Sequence, residues 1–80
     1  MRLDKYLKVS RIIKRRTLAN DACDAGKVLV NDKAARASYE IKIGDIVIIN
    51  MGKNPIKFEV ITISEHVNKD NAVLMYKVIN

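Results

Sequence analysis

The apolar residues of this 80-residue chain change their spacing once, at Gly26. Before it they recur at three and four positions; after it they mostly alternate. A helical period does not settle into a strand, nor the reverse. The chain is therefore committed to helices first and strands afterwards. Leu3, Tyr6 and Leu7 fall on one face of a first helix over residues 3–9, with a possible extension to 13 in which Ile12 and Ile13 lengthen the core contact. Thr17 is the expected N-cap of a second helix, with Leu18, Ala19, Ala22 and Cys23 on its inner face and Asp21 and Asp24 outside. Gly26 is the expected left-handed residue that ends it.

Beyond Gly26, Val28 and Val30 flank Leu29 in a short strand, and Asn31-Asp32 is a turn that tolerates positive φ. Ile41 and Ile43 lead to a second turn at Gly44-Asp45. The β-branched run Ile46-Val47-Ile48-Ile49 is a strand, and Gly52-Lys53-Asn54-Pro55 is a hairpin loop. Ile56 to Ile63 is the next strand, with Phe58, Val60 and Thr62 on one face. Asn68-Lys69-Asp70-Asn71 is expected as a polar turn, and residues 72–79 as a last strand carrying Val73, Met75, Val78 and Ile79. The expected fold is α+β: two N-terminal helices packed on a small, mostly antiparallel sheet of four or five strands. A chain of this length suits a single domain over residues 1–80.

Charge follows the same division. Residues 1–36 hold ten basic and four acidic side chains, whereas residues 37–80 hold five of each, so the whole net charge of +6 sits in the helical half. Within residues 1–16, Arg2, Lys5, Lys8, Arg11, Lys14, Arg15 and Arg16 face only Asp4. A solvated helix face can carry such residues without purpose. A one-signed field, however, repels itself and points to an anionic partner. Nucleic acid and an acidic membrane surface are the two choices. The first helix has only Leu3, Tyr6, Leu7 and Val9 as apolar anchors, and its own core needs them, so a membrane is not expected.

Catalytic chemistry finds little support. The three glycines stand apart at 26, 44 and 52, which excludes a glycine-rich phosphate loop. Acidic residues do not cluster. Cys23 is expected to be a buried, inert thiol and His66 a solvated histidine in a polar loop; together they cannot make a zinc site. No cofactor and no metal are expected. One cysteine, no apolar leader and no 18-residue apolar run suggest a reducing cytoplasm.

Specific residues add to this. Arg2-Leu3-Asp4-Lys5-Tyr6-Leu7, Arg16 with Ala19, Gly26-Lys27-Val28-Leu29-Val30-Asn31, and Gly44-Asp45 together resemble the S-four RNA-binding domain. That module is named after small-subunit ribosomal protein four; pseudouridine synthases and tyrosyl-tRNA synthetases also carry it. The likeness spans about residues 2–48. The run over residues 1–19 is similar to the stand-alone members, namely the small ribosome-associated heat-shock protein and, nearer, the RqcP-like group. Two positions depart from the common pattern: Asp32 where Asn-Gly is frequent, and Arg15 where a serine often precedes the arginine of helix two.

The resemblance implies a non-enzymatic factor of ribosome-associated quality control. Such a factor binds the large ribosomal subunit obstructed by peptidyl-tRNA, touches large-subunit rRNA, and supports an RqcH-like factor that adds alanine tails. It implies Arg2 and Arg16 as the leading RNA-binding residues, where a planar guanidinium grips phosphate with paired hydrogen bonds. Lys5, Lys8, Arg11, Lys14, Arg15, Lys27 and Arg36 form the electrostatic surround. Asn31 either touches RNA or serves its turn, and Asp4 caps helix one or orients an arginine. Tyr6, Tyr39, Phe58 and Tyr76 are too few for a base-stacking platform, which favours structured RNA. A monomer is expected. The rival readings are a generic ribosome-recycling protein of heat-shock type, the binding module of an RNA-modifying enzyme, and a protein-interaction adaptor using the neutral half.

Overall fold

A computed structural model of the chain describes residues 1–65 and 67–79. The elements are α1 (Leu3–Val9), α2 (Arg16–Asp24), β1 (Val28–Val30), β2 (Lys33–Ala34), β3 (Ile46–Ile49), β4 (Ile56–Val60), α3 (Lys69–Ala72), a 3-10 turn (Val73–Met75) and β5 (Tyr76–Val78). The strands form one sheet in the order β2-β1-β3-β4-β5, and every neighbouring pair is antiparallel. The α+β architecture expected from the spacing change at Gly26 is the one observed.

Alternation puts Val28, Val30, Val47, Ile49, Phe58 and Val60 on one sheet face, all buried. That face packs on Leu3, Tyr6 and Leu7 of α1 and on Ala19, Ala22 and Cys23 of α2 in a single core. The Tyr6 ring lies near-parallel to Phe58 at 6.4 Å, and Phe58 meets Tyr76 edge-on at 5.5 Å. The buried Tyr6 hydroxyl donates to the Met75 carbonyl at 2.7 Å, which ties α1 to the far end of the chain. The N-terminal segment is also held directly by backbone: the Leu3 amide donates to the Tyr39 carbonyl at 2.8 Å, and the Ile41 amide to that of Met1 at 3.0 Å.

α2 closes as its sequence promised. Gly26 takes φ 73°, its amide donates to the Cys23 carbonyl, and the Lys27 amide donates to that of Ala22, each at 3.0 Å. These two bonds cap the helix end and turn the chain into β1. The Asn31-Asp32 pair takes φ 51° and 69° and closes a two-residue hairpin between Val30 and Lys33. The second arm of that hairpin, β2, was not expected from the sequence.

Several expectations are corrected. Thr17 is not the N-cap of α2: the helix starts at Arg16, Arg15 is the cap with no side-chain bond, and Thr17 sits exposed in the first turn. Leu18 is 48% exposed, because the small Ala19, Ala22 and Cys23 define the face that approaches α1. The strand after the hairpin loop stops at Val60, and Thr62 faces solvent. Residues 72–79 are not one strand. Asn68 accepts a hydrogen bond from the Asn71 amide at 2.9 Å and starts α3, the 3-10 turn follows, and only Tyr76–Val78 pair with β4. The role expected of His66 lies outside the described residues.

The Tyr6 hydroxyl is buried and serves one carbonyl, so Tyr6→Phe leaves that carbonyl without its partner. The variant is expected to unfold about 1–2 kcal/mol more easily in urea. Its RNA affinity should stay at the wild-type value.

Candidate nucleic-acid interface

Asp4 is the group around which the helical half is arranged. Its side chain is only 3% exposed, yet it lies in the first turn of α1 next to the arginine that precedes the helix. A buried carboxylate needs partners. Asp4 Oδ1 accepts from the Lys5 amide at 2.8 Å and from Arg2 Nε at 3.2 Å, and Oδ2 accepts from Arg2 Nη2 and Asn20 Nδ2, each at 3.4 Å. Arg16 Nε completes the set, 3.3 Å from Oδ2. Arg16 and Asn20 are one helical turn apart on α2, so both reach the same carboxylate.

Burial alone would raise the Asp4 carboxyl. The contacts from Arg16, Asn20, Arg2 and the Lys5 amide outweigh it and hold the group below its ordinary value. The folded pKa is therefore the lower one. The stabilisation is complete above the unfolded carboxyl value of about 3.9 and is lost as pH falls through the folded value.

The arginines are not consumed by this contact. Arg2 and Arg16 remain 51% and 48% exposed, and each guanidinium keeps further N–H donors toward solvent. The expectation that Asp4 orients an arginine is met twice. The opening segment and α2 thus present two guanidiniums at one place, fixed before any ligand arrives. Asn20 was not foreseen in this role, although its i, i+4 relation to Arg16 was visible.

The other residues expected to bind RNA fall into separate groups. Lys8, Arg11 and Lys14 line one hollow together with Val9, Glu65 and Val67. Lys5 is paired instead with Glu65, Nζ to Oε1 at 3.2 Å. Arg15 is exposed at the start of α2, and Lys27 is exposed between Gly26 and β1. Arg36 shares a hollow beside the β1–β2 hairpin with Asn31, Lys33, Ser38 and Tyr39. Asn31 takes the turn role: its Nδ2 donates to Asp45 Oδ1 at 3.1 Å, and its Oδ1 accepts from the Ile46 amide at 3.0 Å. Tyr6 and Phe58 are buried, which removes them as stacking surfaces.

Cys23 is buried on the inner face of α2, and burial first, then Asp4 and Asp24, push its thiol up to about 11. The thiolate that reacts with electrophiles is scarce at neutral pH. Iodoacetamide at pH 8 is expected to spare Cys23 in the folded protein and to label it in urea, as read by intact mass.

The Asp4 geometry generates its own test. Asp4→Asn raises the net charge to +7. A diffuse polycation would bind RNA more tightly for it, whereas a surface that needs its arginine pair fixed should bind about tenfold more weakly. Fluorescence anisotropy with a labelled RNA stem-loop decides between them, with circular dichroism to confirm the fold.

Comparison with known proteins agrees with this arrangement. Residues 1–47 match the family model of the S4 domain, the S-four module. The RQC P-site tRNA stabilizing factor of Halalkalibacterium halodurans is 45% identical over 98% of this chain and 89% of its own length. The factor of that name from Bacillus subtilis is 40% identical over 99% of this chain and 92% of its own. Among solved structures, the trimeric Heat Shock Protein 15 of Vibrio cholerae superposes with a TM-score of 0.91 at 29% identity, over 99% of this chain and 81% of that one. Arg2, Asp4 and Arg16 all fall within the matched segment, and the chain belongs to the S4-domain family and, within it, to the family of RQC P-site tRNA stabilizing factors.

Proposed function

We propose that this chain is a non-enzymatic, cytoplasmic RNA-binding factor of ribosome-associated quality control. It holds tRNA in the P site of an obstructed large subunit, touches large-subunit rRNA, and supports an RqcH-like factor in alanine tailing. The name shared by relatives at 40–45% identity along nearly the whole chain supports the tRNA-stabilising role. The whole chain acts as one RNA-binding domain, with Arg2 and Arg16 as its leading contacts and Lys5, Lys8, Arg11, Lys14, Arg15, Lys27 and Arg36 around them.

One observation carries the reading: two half-exposed guanidiniums locked to one buried carboxylate. Such a pair suits the spaced phosphates of folded RNA better than a single anion. Contacts of this kind recognise shape and backbone, as structured RNA requires. Among the described residues no helix is long and apolar enough to cross a membrane.

Ribosome pelleting with large subunits that carry or lack peptidyl-tRNA tests the proposal. Arg16→Ala is expected to lose binding to the loaded subunit, while Lys69→Ala in α3 keeps it. Replacing Arg2 and Arg16 by Lys holds the net charge at +6 but removes the planar fork. That double variant should dissociate faster with little change in encounter rate, whereas Lys42→Ala with Lys77→Ala, at +4, should matter less. Affinity that tracked net charge alone would reject the residue-level site, and equal binding to loaded and empty subunits would reject the tRNA-stabilising role.

A further inference from the structure

The two helices of the basic half end in the same backbone conformation with very different residues. The position after the cap is left-handed in both: Gly26 after α2, with φ 73°, and Arg11 after α1, with φ 64°. Glycine enters that region freely, and an arginine does not. A side chain kept in such a position is a reason to look for what it does there.

The reversal at Arg11 folds the chain back on the end of α1. The Arg11 amide donates to the Lys8 carbonyl and the Ile13 amide to that of Leu7, each at 3.1 Å. Lys8, Arg11 and Lys14 line one hollow of about 420 Å³ together with the apolar Val9 and Val67 and the acidic Glu65. It shares no residue with the hollow lined by Asp4, Arg16, Thr17, Asn20 and Asp21. Among the described residues no aromatic ring lines it, so these residues offer charge to a backbone and no platform to a base. Among the described residues the one carboxylate that lines it, Glu65, comes from the neutral half of the chain, and Lys5 draws it toward α1 through the 3.2 Å ion pair.

We propose that Lys8, Arg11 and Lys14 form a second anion site, which takes a backbone phosphate of the bound RNA, and that the Glu65 carboxylate lining the same hollow competes with that phosphate. This rests on the RNA-binding reading above and extends it to a separate point of contact. Three cations at successive spacings of three residues approach an anion from several directions, which suits a phosphate group. An acidic side chain in the same hollow weakens attraction for any stray polyanion and yields only where RNA is also held by the arginine pair. The site thus favours RNA that meets both clusters at once.

Arg11→Gly separates this role from folding, because glycine suits the left-handed position better. The variant is expected to keep or raise its melting temperature. It should bind a fluorescein-labelled RNA stem-loop about tenfold more weakly, with a salt slope shallower by roughly 0.7 to 0.9. Glu65→Gln should bind more tightly than Asp70→Asn, a variant of equal net charge altered in α3. A folded Arg11→Gly protein with wild-type affinity and slope overturns the site, and equal affinities for the two neutralised variants overturn the competition. Inorganic phosphate at matched ionic strength should not displace the RNA; displacement from wild type but not from Arg11→Gly would mark a small-anion site and overturn the RNA assignment. Arg16→Ala run in parallel keeps the readings apart. If it loses binding while Arg11→Gly does not, only the second site falls; if neither loses binding, the RNA-binding reading falls with it.

Discussion

The helical half depends on one carboxylate. Asp4 sits almost wholly out of water between the opening segment and α2, and its two oxygens gather Arg2, Lys5, Arg16 and Asn20. Two guanidiniums drawn to one place would otherwise repel each other. The carboxylate between them reverses the balance. The same contact docks the start of α2 on the first turn of α1. Folding and the proposed RNA surface are therefore not separable here: the ion pairs that orient the helices are the ones that orient the arginines. It also accounts for the start of α2 at Arg16, before the better capping residue Thr17. The helix begins where Arg16 must stand to reach Asp4, and a tertiary contact outweighs a local preference for threonine at the cap.

What could be read from the sequence follows from the range of the interactions involved. The change of period at Gly26 depends only on residues a few positions apart, so the order of helices and strands, the left-handed glycine and the Asn31-Asp32 turn were all legible. The last third was less so. Val73, Leu74 and Met75 have the composition of a strand, but the cap at Asn68 starts a helical turn that carries through them, and the strand is left with Tyr76–Val78. Asn68 stands at the head of a polar run that equally suits a turn. The site divides in the same way. Charge located the basic half, and only the resemblance singled out Arg2 and Arg16. Glu65 escaped notice because its partner Lys5 is 60 residues away, a distance that no local pattern spans.

The sheet serves this surface from behind. Its inner face packs against the apolar sides of α1 and α2, so the basic sides are left to solvent without any cost to the core. The Tyr6 hydroxyl bond to Met75 and the Leu3 amide bond to Tyr39 fix α1 at both its C-terminal and its middle-chain contacts. A short helix of seven residues would be marginal alone, since helix nucleation is costly and isolated helices of that length do not persist in water. Its position is a property of the sheet and of the C-terminal segment as much as of its own sequence. The neutral half thus contributes to recognition through rigidity, with no need to touch the ligand.

Asp4 also exposes a trade between reach and fit. Each acidic group in the basic half lowers the long-range field that draws RNA in, and a charge at net +6 can lose one unit of that attraction with little change in encounter rate. What Asp4 supplies in return acts only at contact. A free arginine side chain loses up to about 2 kcal/mol of rotamer freedom when it is fixed on a ligand. Arg2 and Arg16 surrender part of that freedom on folding, where the core and the carboxylate already compensate for it. The effect belongs to the bound state, so it lengthens residence rather than speeding arrival. A factor whose task is to hold another molecule in place has more use for the former.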